Sequence, residues 1–272
     1  MRKVHVGMLG SGFIGEFHTL GLRYVPDARV VANWGAGSER REAFGRRFDS
    51  RPLDSIEAVC ADPEVDLVVV SLPNHLHLEA VRAAAANGKA VACTKPLGRN
   101  ATEAARYLFG KDAAVRDVFA WGDTLVHRER TTLEDNAVML VRFEDGRVAT
   151  MDVSWSSKGG LENRFEVYGD GGRIVQDITS TVLRAFIERP AGYLGEKVDA
   201  DTGWVYPVPN ETYVHGHDAM MADVVEAFRG GHPPRETFAD GLVVNTILDA
   251  AYRSMKSGRW EAVERHAAAV PA

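Results

Sequence analysis

Cysteine is nearly absent from the 272 residues: Cys60 and Cys93 stand alone and far apart. That spacing offers no zinc knuckle, redox dithiol or disulfide framework, so a reduced, cytoplasmic protein is expected. No uninterrupted apolar run approaches the ~18 residues that would suggest a membrane span. The opening Met1-Arg2-Lys3-Val4-His5-Val6-Gly7 goes straight into a strand pattern, which reads as a chain without signal peptide or anchor. An excess of base is lacking too, since 32 Lys and Arg face 38 Asp and Glu for a net charge of −6. Without a basic field, neither nucleic acid nor a membrane is expected as a partner. Internal repeats and low-complexity stretches are missing, apart from the short Ala267-Ala268-Ala269 tail.

What is present is ordinary globular composition, 45% apolar and 26% charged with 26 glycines and 11 prolines, which excludes disorder and a collagen-like repeat. At roughly 150 residues per domain the length allows about two domains with real cores. The first third alternates short apolar runs with helical patterns, the mark of βαβ units and a parallel sheet. Strands are expected at Val4 to Leu9, Arg29 to Asn33, Asp66 to Leu72 and Lys89 to Cys93, with helices from Phe13 until Pro26-Asp27 stops it, from about Glu39 to Phe48 and from about His75 to Ala86. After about residue 117 the period changes. Ala149, Met151, Val153 and Trp155 alternate with polar residues, Ala137 to Phe143 and the Glu144-Asp145-Gly146 turn complete a hairpin, and Phe165 to Ile187 continues a meander. Helical patterns from about Val214 to Arg229 and from about Asp240 to Lys256 close the chain. The expected fold is α/β plus α+β: a parallel-sheet domain over 1–117, then over 118–272 an open antiparallel sheet with helices on one face.

Chemistry concentrates first in Gly10-Ser11-Gly12-Phe13-Ile14-Gly15, which follows a strand and opens a helix. In that context a G-x-G-x-x-G run predicts a Rossmann dinucleotide-binding turn rather than a merely structural one. Gly10 permits the turn, Gly12 lets backbone approach a pyrophosphate, Gly15 allows close helix–strand packing, and the helix start at Phe13 and Ile14 supplies amide donors. The acidic residue that usually receives the ribose 2′-hydroxyl of NAD about 20 positions on is missing. Asn33-Trp34-Gly35-Ala36-Gly37-Ser38 stands there instead, followed by Arg40 and Arg41. Ser38 and Arg40 could accept a 2′-phosphate, which favours NADP over NAD; the other reading is that both arginines decorate an exposed helix face.

Three blocks then carry a resemblance: Gly10 to Gly15, Ser71-Leu72-Pro73-Asn74-His75-Leu76-His77, and Cys93-Thr94-Lys95-Pro96-Leu97. They resemble the family of glucose–fructose oxidoreductase, inositol dehydrogenase and rhizopine catabolism proteins, Gfo/Idh/MocA. The likeness extends through Glu134-Asp135-Asn136-Ala137, Phe143-Glu144-Asp145-Gly146 and Glu236-Thr237-Phe238-Ala239-Asp240-Gly241. It implies an NAD(P)-dependent oxidoreductase acting on a secondary hydroxyl or ketone of a sugar or cyclitol. Ser71, Pro73, Asn74, His77 and Pro96 would then surround the cofactor. Lys95 matches the family lysine, with Thr94 in place of its usual glutamate. An ammonium there can bond the reacting oxygen, stabilise a developing alkoxide and, with a lowered pKa, exchange the proton. Asn74 has a second reading as a helix N-cap.

Relatives carry a further segment between the lysine block and the second domain, with an aspartate and a proton-relay histidine. Here Asn100 to Arg106 runs directly into Tyr107-Leu108-Phe109-Gly110, so the segment is missing between Arg106 and Tyr107. A true deletion that weakens or abolishes activity, a displaced donor, and a sequence omitting part of the natural chain all fit. The deletion reading leaves a dinucleotide-binding sensor or partner subunit as the alternative function. His127, His215 and His217 are the replacement donors on offer, each read as an ordinary histidine, and none makes a metal site with a third partner. Trp155, Trp204 and Tyr206 could stack on a sugar, although strand aromatics usually serve a core. A sheet face rich in Trp and Met would favour a homodimer or homotetramer.

Overall fold

The computed structural model describes residues 3–95, 109, 112–157, 162–177, 185–189, 202–205 and 211–264. Pro96, Tyr206 and the Arg106–Tyr107 junction lie outside these residues.

The first unit runs β1 (Val4–Leu9), α1 (Phe13–Leu22), β2 (Ala28–Trp34), α2 (Ser38–Phe48), β3 (Arg51–Pro52), α3 (Ile56–Ala61), β4 (Leu67–Val70), a single 3-10 turn at Asn74–Leu76, α4 (His77–Ala86) and β5 (Ala90–Cys93). Its five strands pair in parallel in the order β3-β2-β1-β4-β5. The order reverses between β1 and β4, and in such sheets ligands bind beyond the carboxyl ends at that switch point. Every residue of β4 is buried, as a strand covered on both faces requires. Ile56, Val59 and Cys60 of α3 with Ala80 and Ala84 of α4 cover one face. Leu22 of α1 and Phe44 of α2 cover the other.

The second unit holds β6 (Val115–Asp123), β7 (Asn136–Phe143), β8 (Val148–Ser154), the hairpin of β9 (Arg164–Gly169) with β10 (Gly172–Asp177), the pair β11 (Ala185–Ile187) and β12 (Gly203–Val205), then α5 (Glu211–Val214), α6 (His217–Gly230), α7 (Phe238–Ser257) and β13 (Glu261–Ala262). A four-stranded antiparallel sheet follows the order β13-β6-β7-β8. α7 covers one of its faces, with Ile247, Ala250 and Ala251 packed on Val118, Met139, Val141, Phe143 and Met151. A capping box starts that helix: the Asp240 amide donates to Thr237 Oγ1 while the Thr237 amide donates to Asp240 Oδ2.

Several details differ from the sequence reading, each for a physical reason. Strand β6 carries apolar Phe119 and Trp121 on the face opposite Val118 and Ala120, which erases the alternation that would announce it. β11 pairs with β12 and does not extend the β9–β10 hairpin. The single helix expected from Val214 is two, broken at Gly216, whose φ of +77° lies where other residues are strained. α6 makes its core with the first sheet: Met221 and Val225 pack among Val4, Val6, Met8 and Leu22. Gly21 permits this approach, since a Cβ there would sit 2.9 Å from the His217 carbonyl oxygen. Amphipathic spacing shows that a helix buries one face, but not which sheet receives it.

Asp135, 3% exposed, organises the turn between β6 and β7. Its carboxylate accepts the backbone N–H groups of Leu125 at 2.7 Å, Val126 at 2.8 Å and His127 at 2.6 Å, together with the Asn136 amide at 2.8 Å. Burial pushes its carboxyl up, yet the donated hydrogen bonds of His127, Leu125 and Val126 outweigh that and hold it well below the usual carboxylate range. A depressed folded pKa stabilises above the unfolded value and loses that contribution as pH falls through the folded one. Asp135→Asn should therefore lower the urea midpoint at pH 7. The deficit should shrink steadily below the ordinary carboxylate pKa of about 3.9; a deficit that persists undiminished in acid would contradict this.

Candidate active site

The glycine turn is shaped by backbone packed on backbone. Gly10 has φ +121°, its amide donates to the Trp34 carbonyl at 2.7 Å, and a Cβ on it would overlap the Ser71 carbonyl. A Cβ on Gly15 would overlap the carbonyl oxygen of Gly10. Gly12 differs: it is the extended N-cap of α1, offers no side-chain cap, and a Cβ on it would meet nothing within 4 Å. The first amides of α1, those of Phe13, Ile14 and Gly15, have no preceding turn to bond within the helix. Unbonded donors around an open space at a positive helix end fit the pyrophosphate of a dinucleotide.

Beneath this turn stands a residue whose role the sequence reading missed. Asn33 is fully buried; its amide donates to Ser11 Oγ at 3.2 Å and to the Arg41 carbonyl at 3.0 Å, and it accepts from Ser50 Oγ at 2.8 Å. At the end of β2 no carboxylate stands: Trp34 packs against the core, and a Cβ on Gly35 would lie 2.9 Å from Ser11 Oγ. The two arginines there divide. Arg41 donates to the Gly35 carbonyl at 3.4 Å and to Asp54 at 2.9 Å, so it is part of the scaffold. Arg40 and Ser38 are exposed, and Arg40 borders an open hollow with Gly37, Glu39 and Ala43.

The carboxyl ends of β4 and β5 form the opposite wall. Ser71 N donates to the Leu9 carbonyl at 2.6 Å and Thr94 N to the Val70 carbonyl at 3.0 Å, which brings the last residues of β1, β4 and β5 level. Lys95 follows directly and is exposed. Pro73 and Asn74 are exposed at the end of β4. Asn74 is no helix cap, for the 3-10 turn begins after Pro73 and α4 after Leu76, neither with a side-chain cap. His77 is buried, with Nε2 2.7 Å from the Leu72 carbonyl, to which it donates, so it supports this loop from below. Burial pushes the Cys93 thiol up to about 11, which leaves no thiolate nucleophile beside Lys95 at neutral pH.

The other candidates sort themselves. His217 is buried against α1, its ring 5.3 Å from Phe17 and 5.4 Å from His18. His127 belongs to the Asp135 turn, with its ring 3.4 Å from the Trp155 carbonyl. His215 is half-buried just before Gly216. Trp155 is 81% exposed and Trp204 61% exposed, its ring 5.5 Å from Phe186, so neither is buried in a core. Among the described residues no group of three or more His, Cys, Asp or Glu could hold a metal ion, and no helix is long and apolar enough to cross a membrane. A second residue missed from the sequence is His18, 2% exposed, with Nδ1 2.8 Å from Ser71 Oγ. Its signal was present: Gly15, His18 and Leu22 recur at helical spacing on the buried side of α1.

Comparison with known proteins decides the family. A model of the oxidoreductase family's NAD-binding Rossmann fold matches residues 4–109, and one of its C-terminal alpha/beta domain matches 102–263. The chain belongs to the Gfo/Idh/MocA oxidoreductase family. Levoglucosan dehydrogenase of Pseudarthrobacter phenanthrenivorans is 32% identical over 38% of this chain, a match that spans 29% of that relative. Myo-inositol 2-dehydrogenase of Thermotoga maritima is 22% identical over 94% of this chain and 97% of its own length. That alignment runs over 335 positions against a chain of 272, so part of the relative faces no residue here. In fold, the chain is similar to GenD2 from gentamicin A biosynthesis, solved in complex with NAD, with TM-score 0.81 and 22% identity over 97% of each chain.

Two glycine substitutions separate binding from folding. Gly12→Ser should keep or slightly raise the melting temperature, since serine is a good N-cap, while dinucleotide binding measured by fluorescence titration falls sharply. Gly15→Ala should lower the melting temperature itself; equal stability of the two variants would contradict the packing described.

Proposed function

We propose that this protein is an NAD(P)-dependent oxidoreductase that moves a hydride between the nicotinamide and a secondary hydroxyl or ketone of a sugar or cyclitol. The observation that carries this reading is the placement of exposed Lys95 at the carboxyl end of β5, one strand from the switch point where the glycine turn opens. The names of the relatives, levoglucosan dehydrogenase and myo-inositol 2-dehydrogenase, supply the substrate class. Bound there, the dinucleotide supplies the hydride acceptor or donor.

The chain's own residues do the rest. Gly12 and the first amides of α1 hold the pyrophosphate, and Ser71, Pro73 and Asn74 border the nicotinamide end, with His77 supporting that loop. In oxidation the neutral Lys95 amine takes up the hydroxyl proton as the hydride leaves the carbon; in reduction its ammonium donates a hydrogen bond to the substrate oxygen, stabilises the developing alkoxide and returns the proton. Because Lys95 is exposed, that proton can pass directly to solvent, so an imidazole relay is not obligatory. NADP is the favoured cofactor: Arg40 and Ser38 at the start of α2 can receive a 2′-phosphate, with β2 itself ending in Asn33 and Trp34 and the one carboxylate of that hollow, Glu39, on the exposed first turn of α2.

The protein is read as cytoplasmic and as a homodimer or homotetramer through the second sheet. Phe119 and Trp121 of β6 lie opposite Leu140 and Val138 of β7, and Trp121 and Val138 are exposed, so the face away from α7 carries an apolar stripe. A monomeric mass in sedimentation would count against this.

Lys95→Ala should reduce turnover over a polyol panel at least a hundredfold, within the range for a lost acid–base group, with dinucleotide affinity little changed. Full activity in that variant sinks the assignment. Arg40→Ala should weaken NADPH about tenfold, as expected for one charge-assisted contact, and leave NADH unaffected. Dinucleotide binding without turnover of any polyol in the wild type would favour a non-catalytic partner subunit.

A further inference from the structure

α1 carries a buried polar side chain that the glycine turn itself does not use. His18 lies on the sheet-facing side of the helix, 2% exposed, and its Nδ1 is 2.8 Å from Ser71 Oγ. The Ser71 hydroxyl also points to Met8 Sδ at 3.7 Å, a weak acceptor. For both bonds to form together, the hydroxyl donates to sulfur and the His18 Nδ1–H donates to the hydroxyl. Ser71 is therefore held from three directions: its amide by Leu9 of β1, its carbonyl pressed on Gly10, and its side chain by His18 of α1.

That position matters because Ser71 is where the floor of the glycine turn meets the loop to Asn74. A strand end released by one residue can tilt Pro73 and Asn74 away from the nicotinamide end without disturbing the core below. On its other side the His18 ring contacts His217, the first residue of α6, and His217 contacts Phe17. Gly21, one helical turn beyond Phe17, lets the α6 backbone come close enough for these contacts.

We propose that His18 is a positioning residue for the dinucleotide: by bonding Ser71 it fixes the carboxyl end of β4 against the glycine turn, and by packing on His217 it is itself fixed by a helix from the far end of the chain. This rests on the dinucleotide-binding reading above. His18 touches no reacting atom. It acts through Ser71, so its loss raises the dinucleotide KM and leaves the substrate KM unchanged.

The test is titration of NADPH and NADH against wild type, His18→Leu, His18→Asn, Ser71→Ala and the His18→Leu/Ser71→Ala double variant, by nucleotide fluorescence well below each melting temperature. His18→Leu should bind about three- to tenfold more weakly, the scale of one hydrogen bond. His18→Asn places an amide donor near the Nδ1 position and should restore affinity even where its melting temperature stays low, which a purely structural role would not produce. The double variant should be no weaker than the single ones, since both remove the same bond. Wild-type affinity in His18→Leu, or losses that simply add in the double variant, would overturn the proposal. Failure of the wild type to bind either nucleotide would instead overturn the dinucleotide reading on which it stands.

Discussion

Everything at the cofactor end of this protein depends on one steric constraint, the contact of three backbone segments with no room between them for a single carbon atom. The ends of β1 and β4 and the start of α1 meet at Gly10, Ser71 and Gly15. Bringing the helix this close to the sheet aims its first amides into open space above the strand ends, where a phosphate can collect several donors at once. The same closeness brings His18 within reach of Ser71 and allows Asn33 to brace Ser11 from below. Polar residues buried at such a junction are costly unless bonded, and here each has partners from separate elements. Rigidity at the turn thus comes from a few hydrogen bonds set inside an apolar sandwich.

Much of this was legible in the sequence because local rules dictate it. The parallel order follows from alternating strands and helices, and the turn from its three glycines in context. What escaped has a common cause: it lies between segments distant in the chain. No spacing rule joins His18 to Ser71, or Asn33 to Ser50 and Ser11. Periodicity could not say that Arg41 turns inward to Asp54 while its neighbour Arg40 stays out. Nor could it say that Trp155 and Trp204 stand in the open, since an aromatic in a strand reads the same whether or not something covers it.

The exposure of Lys95 beyond the end of β5 also has a physical side. In the proposed reaction solvent can carry its protons, but the same solvent competes for hydrogen bonds to a polyol and raises the local dielectric, weakening the stabilisation of an alkoxide. For a polyol substrate, selectivity would then rest on groups that meet its remote hydroxyls.

The seat of α6 on the first sheet gives the chain an unusual order of assembly. During synthesis the strands of the first sheet emerge early, yet the helix that shields Val4, Val6 and Met8 is made only after the second sheet. Until residues 217–230 leave the ribosome, that flank is covered only by α1 and α2, and the apolar cluster they share with Met221 and Val225 stays incomplete. The loop that must close to bring α6 home is among the longest in the molecule, and long-range closure slows folding. The apolar cluster behind the glycine turn is therefore completed only when the chain is nearly finished.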